Sequence, residues 1–276
     1  MFIPKGQIDF YEKNGYLIYP DLISNEEIKV LTEEISRLSN EKSEKIIPEK
    51  SGAVRTIFAA HQNSEIMKRL IRLPQIVETA KALLQSDVYV HQFKINFKVA
   101  LEGEQWEWHQ DFLYWNKEDS MPAPRVLTAA VFLDNVDDFN GPMLIIPGSH
   151  NEGMIDVEAH MKYAQNGQTK DPLWMSTLTS DLKYKINQAI LSELLKKSQI
   201  LSVKGNAGLV LFFHGNLFHA SSQNLSCVDR QSIFISYNSM ENKLEEREDP
   251  RPEFIASRNF TPIVPVSPDA LLEYSR

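Results

Sequence analysis

The chain has 276 residues and a net charge of −8, from 29 Lys and Arg against 37 Asp and Glu, with 42% hydrophobic residues. That length supports a full hydrophobic core, and the acidic balance excludes the cationic surplus that nucleic-acid binding requires. The most apolar stretch, 207–213 interrupted by Gly208, is far short of the ~20 residues that span a bilayer. The opening Met-Phe-Ile-Pro-Lys-Gly has no basic segment ahead of an apolar run, and the single Cys227 has no mate for an internal disulfide. These features predict a cytoplasmic protein with a small-molecule partner, no nucleic acid and no membrane; they carry no reading of oligomeric state.

In chain order, Ser24-Asn25-Glu26-Glu27 is a capping box, followed by an apolar stripe of Ile28, Leu31, Ile35 and Leu38 at helical spacing. A second helical stretch spans about 64–84, and Pro74 within it predicts two helices or one kinked helix. From Asp87 the period changes to strands over 88–98, 125–133, 143–146, 209–213 and 232–237, with turn residues at 138–142 and 147–149. Between about 151 and 202 the pattern is helical again, with Leu182, Ile186, Ile190 and Leu194 four residues apart. This predicts an insertion that forms a lid or a satellite cluster, with Trp174 in it. The expected fold is mainly β with α: one domain over 1–276, with helical support at 1–86. Barrel strands are expected at 87–150 and 203–240, and a helical insertion at 151–202.

The sharpest chemical feature is Trp108-His109-Gln110-Asp111. On a strand, His109 and Asp111 would share a face and could ligate one ion. Composition alone produces about one His-x-acid, and His150-Asn151-Glu152 is a second instance. Context separates them. His109 lies among Trp106, Trp108, Phe112, Tyr114 and Trp115, whereas His150 follows a Pro-Gly-Ser turn. His214 and His219, both after the apolar strand, are the two candidates for a third ligand. Two histidines and one carboxylate make the facial triad of non-haem Fe(II) oxygenases, and one cysteine is too few for a usual structural zinc site. Such iron works with 2-oxoglutarate, and Arg230, with Ser232 two residues on, is placed to hold its distal carboxylate.

These motifs resemble the phytanoyl-CoA dioxygenase-like superfamily of Fe(II)/2-oxoglutarate oxygenases, and within it the bacterial hydroxylases of ectoine and of free amino acids. The resemblance rests on Asp87-Val88-Tyr89-Val90-His91-Gln92-Phe93-Lys94-Ile95-Asn96, Trp108-His109-Gln110-Asp111-Phe112 with Trp115, and Phe139-Asn140-Gly141-Pro142. Pro147-Gly148-Ser149-His150 and Arg251-Pro252-Glu253-Phe254 extend it toward the C-terminus. It implies a double-stranded β-helix, a cupin-like jelly-roll barrel with iron at its mouth, and it assigns the third ligand to His219. By the same carry-over, Arg230, Thr128, Ser221, Asn96 and Trp106 would hold 2-oxoglutarate. Gln92, Phe112, Trp115, Phe213 and Phe234 would contact substrate. Cofactors would be Fe(II), 2-oxoglutarate and O2, with ascorbate as reductant in vitro.

Two departures bear on the substrate. Ectoine hydroxylases have serine where this chain has Gln110, and glycine where it has Ala220, which makes ectoine a poor first choice. The stretch 54–61 and the motif 91–96 resemble free-amino-acid hydroxylases instead. His214 and Phe58-Ala59-Ala60-His61 lean toward leucine 5-hydroxylases over free-proline trans-4-hydroxylases. The expected reaction is therefore C5 hydroxylation of free L-leucine, releasing succinate and CO2, with L-proline or pipecolate as the alternative. Arg55 is the candidate clamp for the α-carboxylate, with His61 beside it. A non-catalytic metal- or metabolite-binding jelly roll is the reading from another class, and an intact His109, Asp111, His219 and Arg230 set weighs against it.

Overall fold

The computed structural model describes residues 3–49, 51–157, 182–184 and 186–274. The helical N-terminal part comprises α1 (Lys5–Asn14), α2 (Asn25–Ser39), α3 (Glu65–Leu70) and α4 (Pro74–Leu84), interleaved with β1 (Tyr16–Tyr19), β2 (Ile46–Pro48) and β3 (Val54–Phe58). The Ser24 box forms as expected: its hydroxyl accepts from the Glu27 N–H while the Glu27 carboxylate accepts from the Ser24 N–H. Pro74 begins α4 at its first position, where the missing N–H costs nothing, so the 64–84 stretch is two helices.

The strands that follow are β4 (Val88–Lys98), β5 (Trp106–His109), β6 (Val126–Phe132), β7 (Met143–Ile145), β8 (Leu201–Val203), β9 (Val210–His214), β10 (His219–Ser221) and β11 (Arg230–Ser239). Helix α5 (Asp111–Asp119) separates β5 from β6, α6 (Gln188–Lys197) precedes β8, and α7 (Ala270–Tyr274) closes the described chain. A seven-stranded sheet runs in the order β1-β9-β6-β11-β4-β3-β2, and a four-stranded sheet in the order β5-β10-β7-β8. Every pairing is antiparallel. This is the mixed, antiparallel double-sheet arrangement that the sequence led us to expect.

Strand alternation divides the interior. On β6 and β9, Leu127, Ala129, Val131, Val210 and Phe212 face the helices, where they join Leu31, Ile35, Val77 and Ala80. The intervening Ala130, Phe132, Leu211 and Phe213 pack between the sheets with Met143, Ile145 and Val203. A single side-chain period of two thus supplies two cores. On β4, the odd residues Phe93 and Ile95 belong to the helix-side core, while Gln92, Lys94, Asn96 and Lys98 line a cavity on the other face.

Three local expectations change. Asp111 does not continue a strand: β5 ends at His109 and Asp111 is the first residue of α5. Leu182 and Ile186 precede α6 rather than lying on it, because the helix starts after the Asn187 cap, whose side chain accepts from the Ile190 N–H. The strand expected at 232–237 spans Arg230–Ser239. Trp174 and residues 158–181 lie outside the described residues. Among the described residues, no helix is long and apolar enough to cross a membrane.

Candidate active site

The site is built where the small sheet meets α5. His109 ends β5, His219 begins β10, and the two are register partners in an antiparallel pair. Their rings lie 4.2 Å apart, centroid to centroid. Asp111 reaches the same point from the first turn of α5, its carboxylate oxygens 3.8 Å from His109 Nε2 and 3.8 Å from His219 Nε2. The three ligand atoms fall within 4.8 Å of one another.

The backbone decides the tautomers. His109 Nδ1 is 2.7 Å from the Glu107 carbonyl, and His219 Nδ1 is 3.0 Å from the Leu217 carbonyl. A carbonyl only accepts, so each Nδ1 carries the proton and each Nε2 presents its lone pair to the shared point. Burial lowers the His109 pKa to about 3 and also lowers that of His219, keeping both rings neutral. Burial pushes Asp111 up, but Lys94, His219 and His109 outweigh it and hold the carboxyl below its ordinary range. Two neutral imidazoles and one carboxylate, all buried or nearly so, are the donor set of a 2-His-1-carboxylate iron site. The residues fit the metal that the motif implies.

A cavity of about 110 Å³ opens onto this triad. Its far wall is the paired β4 and β11, where Arg230 faces Lys98, Ser232 faces Asn96, and Phe234 faces Lys94. Arg230 is almost fully buried. It donates to the carbonyls of Asn140 (3.3 Å) and Gly141 (2.5 Å) and to Ser232 Oγ (3.1 Å). Burial lowers its pKa to about 10, which still leaves it cationic at neutral pH. Lys98 Nζ donates to the Ser222 carbonyl at 2.9 Å and to the Glu104 carbonyl. Burial, and then Arg230, bring its pKa to about 7.

Of the residues expected to hold 2-oxoglutarate, Arg230, Ser232, Asn96, Trp106 and Ser221 border the cavity. Thr128 does not. It lies on β6 opposite Ser236, and its hydroxyl is 2.9 Å from the Ser236 hydroxyl in a fully buried pair. Of the expected substrate contacts, Gln92, Arg55, Trp115 and Phe234 border the cavity. Gln92 is held by the backbone of the C-terminal segment, donating to the Ile255 carbonyl at 2.8 Å.

Three others pack elsewhere. Phe112 joins Met121, Val126 and Leu244 behind α5. Phe213 lies against the back of the His219 ring, 4.9 Å between centroids. His61 stacks on Phe93, on the helix side of β4, at 5.1 Å. His214 stands apart from the triad, its ring 5.2 Å from that of His150.

Among the described residues, the cavity also has three cations that the sequence motifs left without a role, Lys94, Lys98 and Arg251. Lys98 was findable from the period-two row 92-94-96-98. Arg251, which makes a bidentate pair with Asp119 (2.7 and 2.6 Å), borders the cavity only because the chain returns after β11.

Residues 11–232 match the phytanoyl-CoA dioxygenase family. The chain belongs to that family. It is 37% identical over 262 residues to an L-proline trans-4-hydroxylase of Streptomyces griseoviridis, covering 95% of both chains. It is 35% identical to the ectoine dioxygenase of Bordetella bronchiseptica, covering 97% of this chain and 87% of the relative. Among solved structures, it is similar to EctD from S. alaskensis with 2-oxoglutarate and 5-hydroxyectoine. The TM-score is 0.80 at 29% identity, over 96% of this chain and 87% of that one. The same protein with bound Fe gives 0.78. This member of the phytanoyl-CoA dioxygenase family is thus an iron- and 2-oxoglutarate-dependent dioxygenase in fold, donor set and relatives.

Proposed function

We propose that this dioxygenase hydroxylates an unactivated carbon of a free L-amino acid, with His109, Asp111 and His219 holding Fe(II) and Arg230 holding 2-oxoglutarate. The observation that carries this reading is the convergence of triad and buried arginine on one cavity of small-molecule size. When bound, Fe(II) and 2-oxoglutarate couple decarboxylation of the co-substrate to succinate with insertion of one oxygen atom from O2 into a C–H bond.

The protein's own part is orientation. The Glu107 and Leu217 carbonyls fix the imidazole tautomers. Arg230, with Ser232 behind it, offers a charged anchor for the distal carboxylate at the end of the cavity. Trp115 and Phe234 offer an apolar wall for the substrate side chain. Arg55, its guanidinium 5.5 Å over Trp106, borders the same cavity.

Between the two substrates weighed from the sequence, the 37%-identical L-proline trans-4-hydroxylase supports L-proline as the first to test, with L-leucine at C5 second. The Gln110 and Ala220 departures keep ectoine third. The deciding experiment is mass spectrometry of purified protein with Fe(II), ascorbate, 2-oxoglutarate and O2, offered proline, pipecolate, leucine and ectoine separately. The expected result is a product one oxygen heavier, matched mole for mole by succinate. Iron-loaded protein that gives no coupled product with any of the four overturns the free-amino-acid reading.

A further inference from the structure

The cavity wall carries five cations, and four of them are already engaged. Arg230 is bound by two carbonyls and Ser232, Lys98 by two carbonyls, and Arg251 by Asp119. Arg55 lies over Trp106, with Glu49 and Glu104 acting on its charge. Lys94 differs in having no close partner: its ammonium lies 5.5 Å over the ring of Phe234 and makes no hydrogen bond or close ion pair with any described residue, although its charge acts on Asp111 from a distance. A half-buried ammonium in a cavity lacks part of its hydration, and the face of one aromatic ring replaces only a fraction of it. An anion completes such a site.

The register identifies which anion. On β4 the cavity-facing row is Gln92, Lys94, Asn96, Lys98, so Lys94 and Lys98 are four residues apart. At ~3.3 Å per residue their backbones are about 13 Å apart, and they mark different ends of the cavity. The Lys98 end also holds Arg230 and Ser232, the anchor for the co-substrate's distal carboxylate. Lys94 stands opposite Phe234 on β11 and Phe58 on β3. A cation lying against an aromatic face on an otherwise partly apolar wall suits a carboxylate carried on a saturated carbon frame. Asp111 is the one anionic group of the triad; the Lys94 charge acts on it without a close ion pair, and its carboxylate oxygens lie 3.8 Å from both ligand histidines.

We infer that Lys94 is the specificity-determining cation for the α-carboxylate of the amino acid, and that the enzyme requires this carboxylate free rather than as an amide, ester or carrier-bound thioester. The inference rests on the free-amino-acid reading above and narrows it to unconjugated substrates.

The test compares wild type with Lys94→Met and Lys94→Arg, each loaded with Fe(II). Calorimetric titrations under argon use three ligands: 2-oxoglutarate, the panel amino acids, and the corresponding amides. Steady-state kinetics with the same compounds accompany them. The expected result is at least a tenfold loss of amino-acid affinity in Lys94→Met, read as a rise in amino-acid KM. The 2-oxoglutarate affinity should stay within twofold. Wild type and Lys94→Arg should prefer the acid to the amide by a similar factor, and Lys94→Met should bind both alike.

Weakened 2-oxoglutarate binding in Lys94→Met would assign the lysine to the co-substrate and overturn the inference. So would wild-type turnover of the amide at the rate of the acid, or unchanged amino-acid affinity in Lys94→Met while wild type oxygenates that amino acid. In those outcomes the free-amino-acid reading stands. Wild type that binds 2-oxoglutarate but no panel acid overturns both.

Discussion

At the scale of single residues, the site depends on groups whose roles the neighbouring backbone assigns. His109 and His219 are ordinary imidazoles until two carbonyls take their Nδ1 protons and leave both Nε2 atoms facing Asp111. Arg230 is set by the same kind of local constraint: three acceptors fix its guanidinium plane, and burial removes competing water. A charge-assisted hydrogen bond contributes ~1.5–3 kcal/mol. Arg230→Met should therefore raise the KM for 2-oxoglutarate by roughly 10- to 100-fold, with little change in the KM for the amino acid. Arg230→Lys should recover only part of the loss, because an ammonium cannot reproduce the planar fork. Kinetics at varied 2-oxoglutarate and saturating amino acid check this, and an effect confined to the amino acid would remove Arg230 from the co-substrate site. The His-x-Asp spacing and the Arg-x-Ser pair were readable in the sequence. The tautomers were not, since they depend on carbonyls positioned by the folded strands.

At the scale of elements, α5 is the part that links the metal site to the rest of the molecule. It begins with Asp111, presents Trp115 to the cavity, and ends at Asp119. Asp119 is fully buried and paired with Arg251 of the C-terminal segment, with His91 Nε2 3.3 Å away. Burial pushes the Asp119 carboxyl up, but Arg251, through its charge and its two hydrogen bonds, holds it well below the carboxylate range.

Its folded pKa is thus depressed below the ordinary 3.8. The stabilisation it contributes is complete above that value and is lost as pH falls through the lower folded value. Asp119→Asn leaves the Arg251 charge buried without its partner and should cost about 3–5 kcal/mol. The gap from wild type should stay constant between pH 5 and 8 and close only in strong acid. Urea unfolding across that pH series checks the sign, and a gap that widens with acid would contradict it. The aromatic stretch 112–115 is a short apolar run, in which helix and strand patterns converge. Only the packing of Phe112 on Val126 and Leu244, and of Tyr114 on Tyr184, resolves it.

At the scale of the whole molecule, two cores hold the sheets and helices together without any contribution from the triad. One lies between the large sheet and the N-terminal helices, the other between the two sheets. Metal removal should therefore leave the fold intact. Far-UV circular dichroism is expected to be unchanged after chelation, while Tm falls by several degrees. Binding at a hundredfold excess over Kd contributes about 2.7 kcal/mol, and 1 kcal/mol is worth about 2–4 °C in a chain somewhat smaller than this. Loss of secondary structure on chelation would instead make the metal part of the core.

Part of the element order follows from the sequence alone; the short strands β1–β3, β5, β8 and β10 and the helices α1 and α5 do not. A capped helix at Ser24, a break or kink at Pro74, and strand alternation over 92–98 are local matters of hydrogen bonding, ring geometry and period. So is the type of donor, since two histidines and an aspartate select a metal class by their chemistry. The residues that surround that donor set are decided by tertiary structure. His219 meets His109 through an antiparallel register spanning 110 residues of chain, and Arg251 reaches the cavity on a segment past the last strand. Thr128 and Phe213 alternate on their strands as correctly as Asn96 and Phe234 do, yet their neighbours enclose them in the core and leave the other two on the cavity wall. Side-chain period assigns a face; only the packing of one sheet against another determines whether that face meets protein or ligand.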